Sequence, residues 1–121
     1  MKNGVVHWEI GTTDPAKTGK FYSELFDWDM DHHEGMNYHM AKAAGEGAIG
    51  GGIGPLEGGM SPYVTFYVEV EDLQASLDKA VKLGGKQIVP PTEIPGGLGS
   101  IAWFADPDGH TIGLWKGAET K

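Results

Sequence analysis

The 121-residue chain contains no cysteine and no arginine. Without cysteine there are no disulfides, no thiolate metal sites and no cysteine nucleophile, a composition that suits a reducing cytoplasm. Without arginine there is no planar guanidinium to clamp a phosphate or carboxylate through two parallel hydrogen bonds. Positive charge is scarce as well: 9 basic residues face 17 acidic ones, a formal net charge of −8. Such a chain repels phosphate backbones and has no lysine cluster to offset this, so nucleic acid is not an expected partner. No run approaches the roughly 18–20 apolar residues of a membrane span. The start, MKNGVVHWEIG, lacks the apolar core of a signal peptide. The expected setting is cytoplasmic, with no membrane partner.

What the chain has in quantity is glycine, 20 residues spread as punctuation between short strands. Val6, Trp8 and Ile10 alternate with Val5, His7 and Glu9, the period of a half-buried strand. Asp14 then offers a capping oxygen and Pro15 suits the first helical position. Thr18, Phe21, Tyr22 and Leu25 recur at helical spacing and predict a buried stripe, and Asp27 ends the helix. Short strands are expected at Trp28–Asp31 and Asn37–Ala43, around the turn His33-Glu34-Gly35, and at Ala48–Ile53.

The plan repeats 58 residues later, since Asp72 stands to the second copy as Asp14 does to the first. Val64, Phe66, Val68 and Val70 alternate with Thr65, Tyr67 and Glu69. Leu73, Leu77, Ala80 and Val81 form the next helical stripe, stopped at Leu83-Gly84-Gly85. Lys86–Val89 reads as a strand ended by two prolines. Ser100–Ala105 and Thr111–Trp115 flank the turn Asp106-Pro107-Asp108-Gly109. The order is βαβββ twice, which predicts an α+β fold with mixed sheets: one module at about 1–54, a linker at about 55–61 and a second module at about 62–121.

Three stretches, VVHWEIGTTDPAKTGKFYSELFDW, SPYVTFYVEVEDLQASLDKAVKLGG and GSIAWFADPDGHTIGLW, resemble the vicinal oxygen chelate superfamily of glyoxalase I, bleomycin-resistance proteins and extradiol dioxygenases. The resemblance spans almost the whole chain. It implies paired βαβββ modules whose strands curl into a ligand-holding cup, and commonly a homodimer. Metal-dependent members place two ligands per module, one on the first strand and one on the last. Carried over by the distance to each helix cap, His7 matches the first position, but its counterpart is Thr65. The last-strand positions fall at Gly113 and within Gly50–Gly52. Three of the four ligands are therefore missing, so no metal cofactor is expected. A divalent ion remains the alternative, with His7 as its ligand and Glu9, on the same strand face, beside it.

Other residues are weighed against plainer roles. His32-His33-Glu34 places ligand-type side chains in succession, but neighbours in a turn point apart, so a solvated loop is expected. His39 and His110 are isolated in sequence, and His110 is read as a turn residue. Gly50-Gly51-Gly52 lacks the lysine and helix of a phosphate loop. Glu9 is the best carboxylate for acid–base work, with His7 beside it, although the two could simply satisfy each other. Thr65, Tyr67, Trp103 and Trp115, with Gly50, Gly52 and Gly113 leaving room between them, form the expected binding surface for a flat apolar or aromatic molecule. The leading expectation is thus a small-molecule-binding protein without the usual metal centre. A glyoxalase-like lyase or isomerase with an irregular metal site, and a drug-sequestering protein of the bleomycin-resistance type, are the alternatives.

Overall fold

The structure, a computed structural model, describes residues 3–33 and 37–118. The expected turn at Glu34-Gly35 lies outside them. Chain compactness separates two units, Val6–Thr65 and Phe66–Lys121, the latter together with the N-terminal residues through Val5.

The first unit contains β1 (Val5–Thr12), α1 (Pro15–Phe26), β2 (Met30–His33), β3 (Tyr38–Ala41) and β4 (Gly51–Pro55). Its strands lie in the order β2-β3-β4-β1, with β1 parallel to β4 and the other pairs antiparallel. The second unit contains most of β5 (Tyr63–Glu69), then α2 (Leu73–Lys82), β6 (Lys86–Glu93), β7 (Ser100–Ala105) and β8 (Thr111–Lys116). Its order, β5-β8-β7-β6, repeats the scheme, with β5 parallel to β8. Each unit is a mixed four-stranded sheet carrying one helix, the expected βαβββ module of an α+β fold.

Local chemistry fixes the element ends where the sequence placed them. Asp14 caps α1 by accepting from the Lys17 amide at 3.1 Å, and Asp72 caps α2 by accepting from Ala75 at 3.0 Å. Asp27 closes α1 in the left-handed region at φ 59°. The Asp106 carboxylate accepts from the amides of Asp108 and His110, and His110 Nδ1 lies 3.0 Å from Oδ2. The His110 amide is the largest of the influences that hold the Asp106 carboxyl below its ordinary value. His110 is therefore a turn residue. Asp14→Ala should cost about 1 kcal/mol, read as a lower urea midpoint at unchanged slope.

The burial pattern departs from the helical stripes. Phe21 and Leu25 are 59% and 56% exposed. The buried positions of α1 are Pro15 and Gly19. A Cβ at Gly19 would lie 3.7 Å from Met30 and 3.8 Å from His39, so the helix approaches the sheet through its smallest residue and turns the large side chains outward. Val81 of α2 is likewise exposed, while Leu73 and Leu77 are buried. On β5, Val64 and Phe66 are exposed, and Thr65 and Tyr67 are buried. α2 packs chiefly on β6, β7 and β8, so it leaves that end of β5 uncovered. Val70, Leu73, Leu77, Ala102 and Leu114 form the second unit's core. β6 does not stop at Val89. It continues through Pro90 and Pro91 to Glu93, with its register shifting around them. An edge strand tolerates prolines because their missing N–H groups need no ladder partner.

Candidate functional site

Alternation along β1 puts His7, Glu9 and Gly11 on one face. Across the parallel pair, Glu9 sits opposite Gly52 and Gly11 opposite Gly54. A Cβ at either Gly52 or Gly54 would collide with the ring of Tyr38, which reaches across both from β3. Glycine in a strand permits this close approach. Lying there, the Tyr38 hydroxyl donates to Glu9 Oε1 at 2.9 Å and meets His7 Nε2 at 2.9 Å. Its one proton goes to Glu9, so the oxygen accepts from His7, which assigns the His7 proton to Nε2. Tyr63 does the same over Gly11, and its hydroxyl donates to Glu9 Oε2 at 2.8 Å.

The result is a chain, His7–Tyr38–Glu9–Tyr63, centred on a carboxylate only 8% exposed. Both of its oxygens accept from phenols, which answers the desolvation a buried carboxylate would otherwise suffer. Burial, then the Glu9 charge and hydrogen bond, and then Glu57, push the Tyr63 phenol well above its ordinary value, so it remains a donor. Burial holds His7 below its ordinary value, favouring the neutral ring. Between that lowered value and about 6.5, the unfolded chain binds a proton that the folded chain refuses. Stability should therefore fall as pH drops below about 6.5. His39 is also lowered, by burial and then by His32, and adds to the same slope. The His7 share is read as a flatter pH profile of urea midpoints in His7→Gln than in the wild type.

The glycines do not leave open space. Besides the tyrosines over Gly52 and Gly54, the Trp8 indole covers Gly51, and a Cβ at Gly50 would press on the Ala41 carbonyl at 2.8 Å. Tyr67 covers Gly113 in the second unit. That position aligns Tyr67, Gly113 and Trp103 across three strands, and the Trp103 indole donates to the Tyr67 hydroxyl at 2.9 Å. The Trp115 indole donates to the Leu98 carbonyl at 2.9 Å, held by the turn before β7. Thr65 is buried on β5. The expected space for a flat molecule over the glycines is thus filled by the protein's own rings.

Glu9 pairs with Gly52 as Tyr67 pairs with Gly113, which confirms the two glycines as equivalent positions of the repeat. At the four positions to which the resemblance carries the metal ligands, the chain offers one imidazole, one hydroxyl and two glycines roofed by tyrosine. This donor set does not fit the usual four-ligand site. Among the described residues, no three His, Asp or Glu side chains gather as a metal-binding group. The structure does bring His7 and Glu9 together, as expected, but through Tyr38. Tyr38 and Tyr63 were not singled out in the sequence. The signal was present as glycines two apart in a strand, which an aromatic ring on the neighbouring strand can cover.

Comparison with known proteins agrees with this architecture. Residues 4–114 match the model of the Glyoxalase/Bleomycin resistance protein/Dioxygenase superfamily. CFP32 of Mycobacterium bovis, provisionally named a glyoxylase, is 34% identical over 95% of this chain and 46% of its own length. The chain thus spans about half of that relative. A glyoxylase-like domain-containing protein of Didymella fabae is 30% identical, with 85% of each chain covered. The methylmalonyl-CoA epimerase of Mycobacterium tuberculosis superposes with a TM-score of 0.71 at 16% identity, covering 96% of this chain and 89% of the other, a likeness of fold. The repeated βαβββ modules and the family match over nearly the whole length lead to one conclusion: the chain belongs to the Glyoxalase/Bleomycin resistance protein/Dioxygenase superfamily.

Proposed function

We propose that the protein binds a small organic molecule through the His7–Tyr38–Glu9–Tyr63 chain, without the four-ligand metal centre of the metal-dependent members. The observation that carries this reading is the Glu9 carboxylate with a phenol on each oxygen. The two phenols already draw on one lone pair of each Glu9 oxygen, which weakens the carboxylate as a ligand or base, whereas a ligand can hydrogen-bond to the chain with Glu9 left in place. Glu9 then acts as the fixed centre, holding the two hydroxyls and, through Tyr38, the His7 ring in one arrangement. The ligand carries a hydrogen-bonding group, and an apolar or aromatic body would pack against the tyrosine rings rather than in the space over the glycines, which those rings fill. A thermal-shift screen against planar aromatics, thiol adducts and cationic antibiotics tests this, because a ligand that prefers the folded state raises the melting temperature. At least one class should stabilise the wild type, with the shift reduced in Tyr38→Phe. An equal shift in the two proteins would contradict the assignment.

A second reading, acid–base catalysis of a glyoxalase or epimerase kind, draws on His7. Burial keeps the ring in its neutral form, the form in which an imidazole serves as a base, while making it a weaker one. Solvent deuterium exchange into a carbon acid, abolished in His7→Gln, would favour it over simple binding. The leading proposal includes a homodimer, supported by the exposed Phe21, Leu25 and Phe26 of α1. Light scattering during size exclusion should give twice the chain mass.

A further inference from the structure

The sequence placed His32 in a solvated loop and left His39 isolated. The structure puts both on strands. His32 lies in β2 and His39 in β3, directly opposite each other in the antiparallel register. Directly paired residues of an antiparallel hairpin project their side chains to the same face, within reach of one another. His32 Nδ1 lies 3.2 Å from His39 Nε2, with ring centroids 4.5 Å apart at 65°. The backbone under the pair is firm. β3 bonds to β4 on its other side, and the base of the His39 side chain lies 3.8 Å from where a Cβ of Gly19 would stand.

We propose that His32 and His39 form a two-imidazole site for a divalent transition ion such as Zn2+ or Ni2+. Imidazole nitrogens bind zinc at about 2.0–2.1 Å, so two of them on one tetrahedral ion stand about 3.3 Å apart. The 3.2 Å separation seen here already meets that requirement. The hydrogen bond that joins the rings uses the N–H of one of them. Exchange of that proton through water to the far nitrogen of the same ring leaves both rings neutral, with a lone pair on His32 Nδ1 and on His39 Nε2, and small ring rotations about χ2 aim both at one ion. Two nitrogen donors select ions of the borderline class over Mg2+ or Ca2+, which take oxygen ligands. Water would complete the coordination. Bound there, the ion would cross-link β2 to β3 and stabilise the folded chain by mass action. The site shares no residue with the His7–Glu9 chain and stands or falls independently of it.

The test is calorimetric titration of untagged, chelator-treated protein with zinc chloride and with nickel chloride. One ion per chain is expected, with binding lost in His32→Ala and in His39→Gln (the glutamine keeps bulk beside Gly19) and retained in His7→Gln. Circular dichroism confirms that each variant is folded. Histidine ring resonances in NMR should move at His32 and His39 on adding zinc. No binding to the wild type, binding that survives both β2–β3 variants, or loss in His7→Gln would each overturn the proposal.

Discussion

Glu9→Ala is expected to be the most damaging single change in the first unit. Removing the carboxylate leaves the Tyr38 and Tyr63 hydroxyls without the acceptor that both now share. Each partly buried donor that loses this acceptor costs about 1–3 kcal/mol, so the pair should cost about 2–6 kcal/mol. Against a total stability of about 5–15 kcal/mol, that is a large fraction. Its signature is a melting midpoint lower by roughly 10 °C or more. Glu9→Gln keeps the shape and one strong acceptor, so it should lose less. The ordering wild type, Gln, Ala separates the loss of hydrogen bonds from the loss of charge. A double-mutant cycle of Glu9→Gln with Tyr63→Phe should show coupling, because the two residues share one bond.

Gly113→Ala carries the second large effect. A Cβ at Gly113 would overlap Cδ2 and Cε2 of Tyr67 and lie 2.8 Å from Cγ, close to the root of the ring. The ring has little room to swing aside, being 6% exposed and tied to Trp103 through its hydroxyl. Overpacking of this kind costs about 1–3 kcal/mol. The expected result is a lower urea midpoint together with a changed tryptophan emission as Trp103 loses its acceptor. Gly52→Ala strikes only the hydroxyl end of Tyr38 and so displaces a more movable group. Its expected signature is at the site instead: Tyr38 leaves Glu9 and His7, and the ligand-induced rise in melting temperature shrinks as it does in Tyr38→Phe.

These two cases also show what could be read from the sequence. Helix caps, the Asp27 terminator and the Asp106–Gly109 turn depend on chemistry within a few residues, and each stands where the spacing put it, whereas on β1 the buried positions are Glu9 and Gly11 rather than the apolar Val6, Trp8 and Ile10. The faces of α1 and β5 depend on which element comes to cover them. Phe21 and Leu25 turn outward because Gly19 makes the closer approach to the sheet. A helical stripe cannot show this, since it ranks hydrophobicity and not distance of approach. His7 and Glu9 were legible as a pair because i and i+2 share a strand face. Tyr38, which joins them, lies 29 residues from Glu9 and is brought close only by the register of β3, β4 and β1, across the glycines of β4. His32 and His39 meet for the same reason.

The central claim is that Glu9 and His7 form a hydrogen-bonded anchor and not a metal site. Elemental analysis of untagged protein as purified, beside the His7→Ala variant, tests it most directly. The account predicts that any bound metal is the same in the two proteins, with whatever zinc or nickel is present residing at His32 and His39. A full equivalent of metal in the wild type that disappears in folded His7→Ala would contradict it.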